Sequence, residues 1–267
     1  MNTLNTLRIR TIIGKEWAEV FKNRLVLFTV ALLPLLFTAL PLIVLFATRD
    51  ASADSGDIAD LPPSFFEVCG DIPAAECLQY YILNQFLLLF MMMPLIIPVS
   101  IAAYSIVGEK TTRSLEPLLA TPISTVELLT AKSLAAAIPA VAATWGAFLL
   151  FVILAPLAGA GTGVWGRLIS PTWLAAVFLL GPLMAIMSVN FAVMVSSRVS
   201  DPRVAEQLAA VVIVPLMVIL FAQIAGVIVL NLSFMLIAAV VLVVADIGLV
   251  YVGARLFQRE TILTKWK

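Results

Sequence analysis

Six stretches of this chain are apolar almost without interruption, near residues 25–48, 81–107, 133–158, 173–195, 207–230 and 234–256. Each is long enough to cross a bilayer. The first, at 24 residues, makes a helix about 36 Å long against a hydrocarbon core of about 30 Å. The runs are continuous rather than alternating, which argues against barrel strands, and in lipid only helices and closed barrels satisfy every backbone polar group. The pattern predicts an all-α, polytopic membrane protein. A six-span domain covers 25–267, preceded by a separate amphipathic segment at 1–24, and the first run is read as a retained signal anchor.

The polar connections orient these spans. Fourteen of the 16 basic residues fall before the first run, in 108–132, in 196–206 and in the tail; Arg49 and Arg167 are the exceptions. By the positive-inside rule those four segments are cytoplasmic, so both termini are expected inside a cell membrane. The opposite side carries one sizeable element, the acidic loop 49–80, with Asp50, Asp54, Asp57, Asp60, Glu67, Asp71 and Glu76. Composition supports the reading. The 267 residues are 62% hydrophobic and 12% charged, where a soluble domain carries about a quarter charged residues.

Two cytoplasmic segments hold more pattern than a plain connection needs. In 8–24, RIRTIIGKEWAEVFKNR, a helical projection gathers Ile9, Ile12, Ile13, Trp17, Val20 and Phe21 on one half, with Arg8, Lys15 and Lys22 as a basic stripe. That is the pattern of a helix lying in the membrane interface, with Lys15, Glu16 and Trp17 at its centre. The alternative is an ordinary extension of the first span. The second segment, 108–132, reads GEKTTRSLEPLLATPISTVELLTAK. A short amphipathic helix, LEPLLA, stops at Thr121-Pro122, because a residue before proline avoids the α region. Ser124 or Thr125 then caps a new start, with Glu127 in its first turn. A short helix projecting from a two-span hairpin suits a cleft on a soluble partner.

The run Glu109-Lys110, Ser114-Leu115-Glu116, Leu118-Leu119-Ala120-Thr121-Pro122-Ile123-Ser124, Glu127-Leu128-Leu129 and Lys132 resembles the signature of type-2 ATP-binding-cassette exporter permeases. Lys15-Glu16 and Asn23-Arg24 resemble that family's opening. The likeness is nearest the sodium-efflux and multidrug branch. It departs at Ser114, usually threonine, and at Ala131, usually glycine. The resemblance implies a permease dimer, identical or paralogous, driven by separate nucleotide-binding ATPase subunits that carry the ATP and Mg. It also implies a coupling helix at 109–123, with Glu109, Lys110, Arg113, Leu115, Glu116, Leu118, Leu119, Thr121 and Pro122 meeting the ATPase.

The residues fit that division of labour. No phosphate-cradle motif occurs, histidine is absent and only two cysteines are present. No catalytic constellation, bound cofactor, metal centre or nucleic-acid partner is expected; membrane lipid is. Few polar groups enter the runs: Asn84 and Gln85 near the outer end of the second, Asn190, Gln223 and, in the middle of the sixth, Asp246. A membrane-embedded acid is costly unless paired or wetted. Asp246 is therefore either a cation or proton contact on a translocation path, or a structural carboxyl held by Asn190 or Gln223. Cys69 and Cys77, both in the acidic loop, are expected to form a disulfide worth about 2–3 kcal/mol locally. The competing readings are a stand-alone secondary transporter, which would show inverted repeats and more embedded polar groups, an intramembrane enzyme, and an assembly scaffold.

Overall fold

The structure is a computed structural model and describes residues 6–22, 24–49, 74–111 and 125–256. Among these residues the chain is helical with no strand. An N-terminal helix α1 (Thr6–Val20) precedes α2 (Arg24–Thr48), α3 (Ala74–Thr111) and α4 (Thr125–Leu154). A short α5 (Thr162–Leu168) and α6 (Pro171–Leu174) lead into a π-helical stretch, Ala175–Leu180, and then α7 (Gly181–Arg198). Next come α8 (Pro202–Ala209), a 3₁₀ turn (Ala210–Ile213), α9 (Val214–Ile224) and α10 (Leu232–Leu256). Taken as continuous stretches, α2, α3, α4, α5–α7, α8–α9 and α10 provide six helices long and apolar enough to cross a membrane. The all-α polytopic architecture expected from the hydropathy pattern is present.

The boundaries shift in ways that local chemistry explains. Helix α3 begins at Ala74, so Glu76 is a residue of its first turn and not of the loop. There its carboxylate accepts the Gly163 N–H at 3.0 Å. A Cβ on Gly161 would lie 2.6–2.9 Å from that same carboxylate, so a larger residue there would push the Glu76 side chain aside. The fifth span starts early, at Pro202, where the Asp201 side chain accepts the Arg203 N–H at 2.7 Å as an N-cap. It ends early because Gly226 adopts φ +71°, a left-handed stop. Asn231 restarts the chain by accepting the Phe234 N–H at 2.8 Å.

Helix α3 is the hub. Seventy-eight per cent of its most apolar window is buried, against 17% for the fifth and sixth spans. It packs against α2, α4, α7 and α8. Lipid tails are as apolar as leucine, so association rests on close packing. Buried Ala102, Ala136, Ala140, Ala185 and Ala192 let backbones approach. Toward the other end the rings of Phe90, Phe148, Phe151 and Trp173 form one cluster, with Phe90 and Phe151 centroids 5.3 Å apart and Phe148 and Trp173 stacked at 6.0 Å.

Three tryptophans solve a problem set by three prolines. Proline has no N–H, so the carbonyl it should serve is orphaned in a medium with no water to replace it. Pro139 orphans the Ala135 carbonyl, and the Trp17 indole N–H donates to it at 2.9 Å. Pro156 does the same to Val152, which accepts from Trp165 at 3.1 Å. In the π-helical stretch bonds span five residues, so Pro182 orphans Val177, which accepts from Trp145 at 3.2 Å. Trp145→Phe keeps the ring but strands a carbonyl, and should cost about 1–3 kcal/mol in unfolding from detergent. In a Pro182→Ala background, where the backbone can supply its own donor, the same change should cost less than half of that. Equal costs in both backgrounds contradict the assignment.

Candidate functional site

The site lies where α1 meets α3 and α4, at the roots of the 108–132 segment. Alpha-helical spacing places Ile12, Glu16 and Val20 on one line of α1, and all three are buried. Ile12 packs on Leu128 and Ala131, with Ile9 and Ile13 beside them. The apolar half of α1 read as a lipid-facing surface is thus partly a protein contact, while Phe21 remains exposed. Ala131, the departure from the usual glycine, is fully buried under Ile12, where its methyl group adds contact.

Within this contact sits a charged pair. Lys132 Nζ lies 2.8 Å from Glu16 Oε1, with the two residues 6% and 3% exposed. The Ser105 hydroxyl donates to Glu16 Oε2 at 2.6 Å and accepts from Lys132 Nζ at 2.8 Å. One carboxylate therefore joins three helices. Ser105 is six residues before the end of α3 and Lys132 seven after the start of α4, about 9–10 Å from each helix end at 1.5 Å per residue. Two further ties flank it: the Trp17 bond to Ala135 one turn deeper, and Arg8 to Glu127, 3.7 Å apart, in the first turn of α4. A second carboxylate grips α3 from another side, where the Ser100 hydroxyl donates to Glu206 of α8. Such groups hold position. Among the described residues there is no group of three or more metal-ligating side chains.

The other predicted residues separate into several places. Glu109 and Lys110 lie in the last turn of α3. Arg113, Leu115, Glu116, Leu118, Leu119, Thr121 and Pro122 lie outside the described residues. Lys15 is exposed and pairs with Glu19, one turn on, at 3.7 Å. Asp246 is buried in α10, and neither carboxylate oxygen has a hydrogen-bond partner. The two donors expected for it are not used: Gln223 Nε2 donates to the Asn84 carbonyl at 3.1 Å, and Asn190 Nδ2 is buried without a partner. Those three residues do not form one polar cluster, because Gln223 belongs with Tyr81, Asn84 and Gln85 around a cavity of about 10 Å³ at the far end of the fold. Cys77 is buried and disulfide-bonded, and its expected partner Cys69 lies outside the described residues.

Two pairings were not read from the sequence. Lys132, which the resemblance makes a polar contact or orienting residue of the 108–132 segment, is carried inside by α4. Glu206 reads as part of a short polar link, although Asp201-Pro202 is a helix-start signal that places it on the fifth span.

Six apolar helices, with a polar clamp where α1, α3 and α4 meet, define a multi-pass membrane protein. A family model described as ABC-2 family transporter protein matches residues 10–243. The match takes in most of the chain, and the protein belongs to that family: it is a permease component of an ATP-binding-cassette transporter. No curated protein and no solved structure matches.

Breaking a buried pair from one side leaves an uncompensated charge. Lys132→Met should therefore lower stability by about 3–5 kcal/mol, and adding Glu16→Gln should recover most of the loss. Thermal unfolding of the purified protein in detergent measures both. A double variant no better than Lys132→Met contradicts the pairing.

Proposed function

We propose that this chain is the permease subunit of an ATP-driven exporter. It works in a cell membrane as one of two permease chains, identical or paralogous, with both termini in the cytoplasm. Separate ATPase subunits bind ATP and Mg and dock on the 109–123 helix. The observation that carries this reading is the Glu16–Lys132–Ser105 clamp at the roots of that segment, joined to membership of the transporter family. A segment that only connects two spans needs no buried ion pair beneath it. A segment that is pushed does, since force on it must reach α3, α4 and α1 together.

On this reading nucleotide-driven closure of the ATPase pair displaces the docked helix. The clamp makes α1, α3 and α4 move as one body, and the motion opens a path between the two permease chains. Asp246, with no partner among the described residues, is the acid this path would use for a cationic group or a proton. A Cys69–Cys77 bridge would shape the outer loop on the oxidising face. A stand-alone secondary transporter has no use for a buttressed segment of this kind, which is why the motor-driven reading is preferred.

Leu118→Asp with Leu119→Asp should abolish capture of the ATPase subunit. Each puts a charge into an apolar docking contact, and loss of one such anchor costs about 2 kcal/mol or more, roughly thirtyfold in affinity. Co-purification from membranes, with a nucleotide-binding ATPase subunit as bait, reads it directly. Undiminished capture, or transport in liposomes by this chain alone, contradicts the proposal.

A further inference from the structure

The fifth span, α8 through α9, is held by little apolar burial. Only 17% of its most apolar window is buried, and Val211, Val214, Val218 and Phe221 are each more than half exposed. Its inward side is a narrow line, with Ala205, Ala209 and Leu216 buried. Along that line α8 packs on α3 and α7, and α9 packs on α3. Apolar packing alone positions a helix poorly in lipid, because a slide exchanges one apolar contact for another.

Two hydrogen bonds mark the ends of this line. At the α8 end the buried Ser100 hydroxyl donates to Glu206 Oε1. At the α9 end Gln223 Nε2 donates to the Asn84 carbonyl at 3.1 Å, and both residues are buried. Sixteen residues separate Asn84 from Ser100, and seventeen separate Glu206 from Gln223. The order of the partners is reversed, so α3 and the fifth span run antiparallel. The matched spacing, about 24 Å at 1.5 Å per residue, means that both bonds form in one register. Beside the first bond Ala205 packs with Ala103 and Val107, small residues that bring α8 close to α3. Val107 lies two residues before Glu109, where the 109–123 segment begins. Ser100 and Ser105 are five residues apart, roughly 140° around the helix. The fifth span thus grips α3 near the root of that segment, on a different face from the Glu16 clamp.

We infer that Glu206 and Gln223 are positioning residues: their bonds to Ser100 and to the Asn84 carbonyl staple the fifth span to α3 at both ends and make it follow α3. A polar group parted from its partner in lipid finds no water to replace it, so the staples resist a slide that the valines and leucines between them tolerate. The staples need only a chain that spans a membrane. That they pass on a displacement delivered at the 108–132 segment rests on the motor-driven reading.

Spin labels on the whole chain in lipid nanodiscs test the staples. One pair, Leu208 and Leu134, reports the Glu206 end, and another, Phe221 and Ile153, the Gln223 end; all four residues are exposed. Wild type should give one narrow distance for each pair. Ser100→Ala and Glu206→Leu should each raise a second population in the first pair about fivefold and leave the second pair narrow. Gln223→Leu should do the reverse. Glu206→Gln should keep the first pair narrow, because its amide oxygen still accepts from Ser100. Narrow distances in every variant overturn the assignment, and so does a distribution in Glu206→Gln as broad as in Glu206→Leu. In the complex with ATPase subunits, wild type should keep both distances when ATP is trapped. The Ser100→Ala, Gln223→Leu double variant should shift them, because α3 moves and the fifth span lags. No shift in the double variant overturns transmission through the staples. A wild-type chain that captures no ATPase subunit contradicts the motor-driven reading, and the nanodisc distances still decide the staples.

Discussion

A carboxylate taken out of water must be answered by the groups around it, and at Glu16 the answer comes from two other helices. Lys132 supplies the countercharge and Ser105 a hydroxyl that bonds both. Each member alone would be a liability in an apolar bundle. Together they are satisfied in one arrangement of α1, α3 and α4, and any slide of α1 along α4 breaks both bonds to Glu16 at once. A buried ion pair adds little net stability over a good apolar contact, so its use here is to fix register. The apolar contact beneath it, Ile12 on Leu128 and Ala131, would tolerate a slide; the charges do not.

The rest of the molecule follows the same rule of one satisfied arrangement. Prolines break helical bonding in four of the spans, and at three of these breaks an indole N–H repairs the carbonyl left over. One repair, Trp17 to Ala135, also belongs to the clamp. The proline in α4 thus creates the acceptor that anchors the N-terminal helix. At the opposite end Glu76, Gly161 and Gly163 lock the strap after α4 to the start of α3. Helix α3 is held firmly at both ends, while the outer faces of α2, α9 and α10 stay apolar and open to lipid. A displacement applied at the roots of the 108–132 segment would therefore be carried by the α3–α4 pair as a unit.

Much of this was legible in the chain itself, for physical reasons. Spans announce themselves because lipid demands long unbroken apolar runs, and all six were found, although the fourth begins at Thr162 rather than near 173 and the third and fifth are displaced by about six residues at one end. The α1 pattern was visible too, since a 3.6-residue period survives in any environment. What that period could not say is which solvent the apolar face meets, and part of it meets protein. Lys132 was placed in a loop because a lysine beside an apolar run normally marks the water boundary. Its burial depends on Glu16, 116 residues earlier, and no local pattern encodes that pairing. Glu206 was passed over for the same reason, its partner Ser100 being one serine among many. Asp246 is buried in α10, and Gln223, one of the two donors expected for it, serves the Asn84 carbonyl instead, because residues on different spans are not paired by any local pattern.

The central claim is that α1 and α4 move as one body while the transporter works. Spin labels at Glu19 and Leu134, both exposed and on opposite sides of the clamp, report on it through their distance distribution in the assembled complex. The account predicts one narrow distance that is the same without nucleotide and with ATP trapped in the motor subunits. A second population, or a shift on nucleotide binding in the wild-type protein, would show that the helices part during the cycle and that the clamp does not carry the stroke.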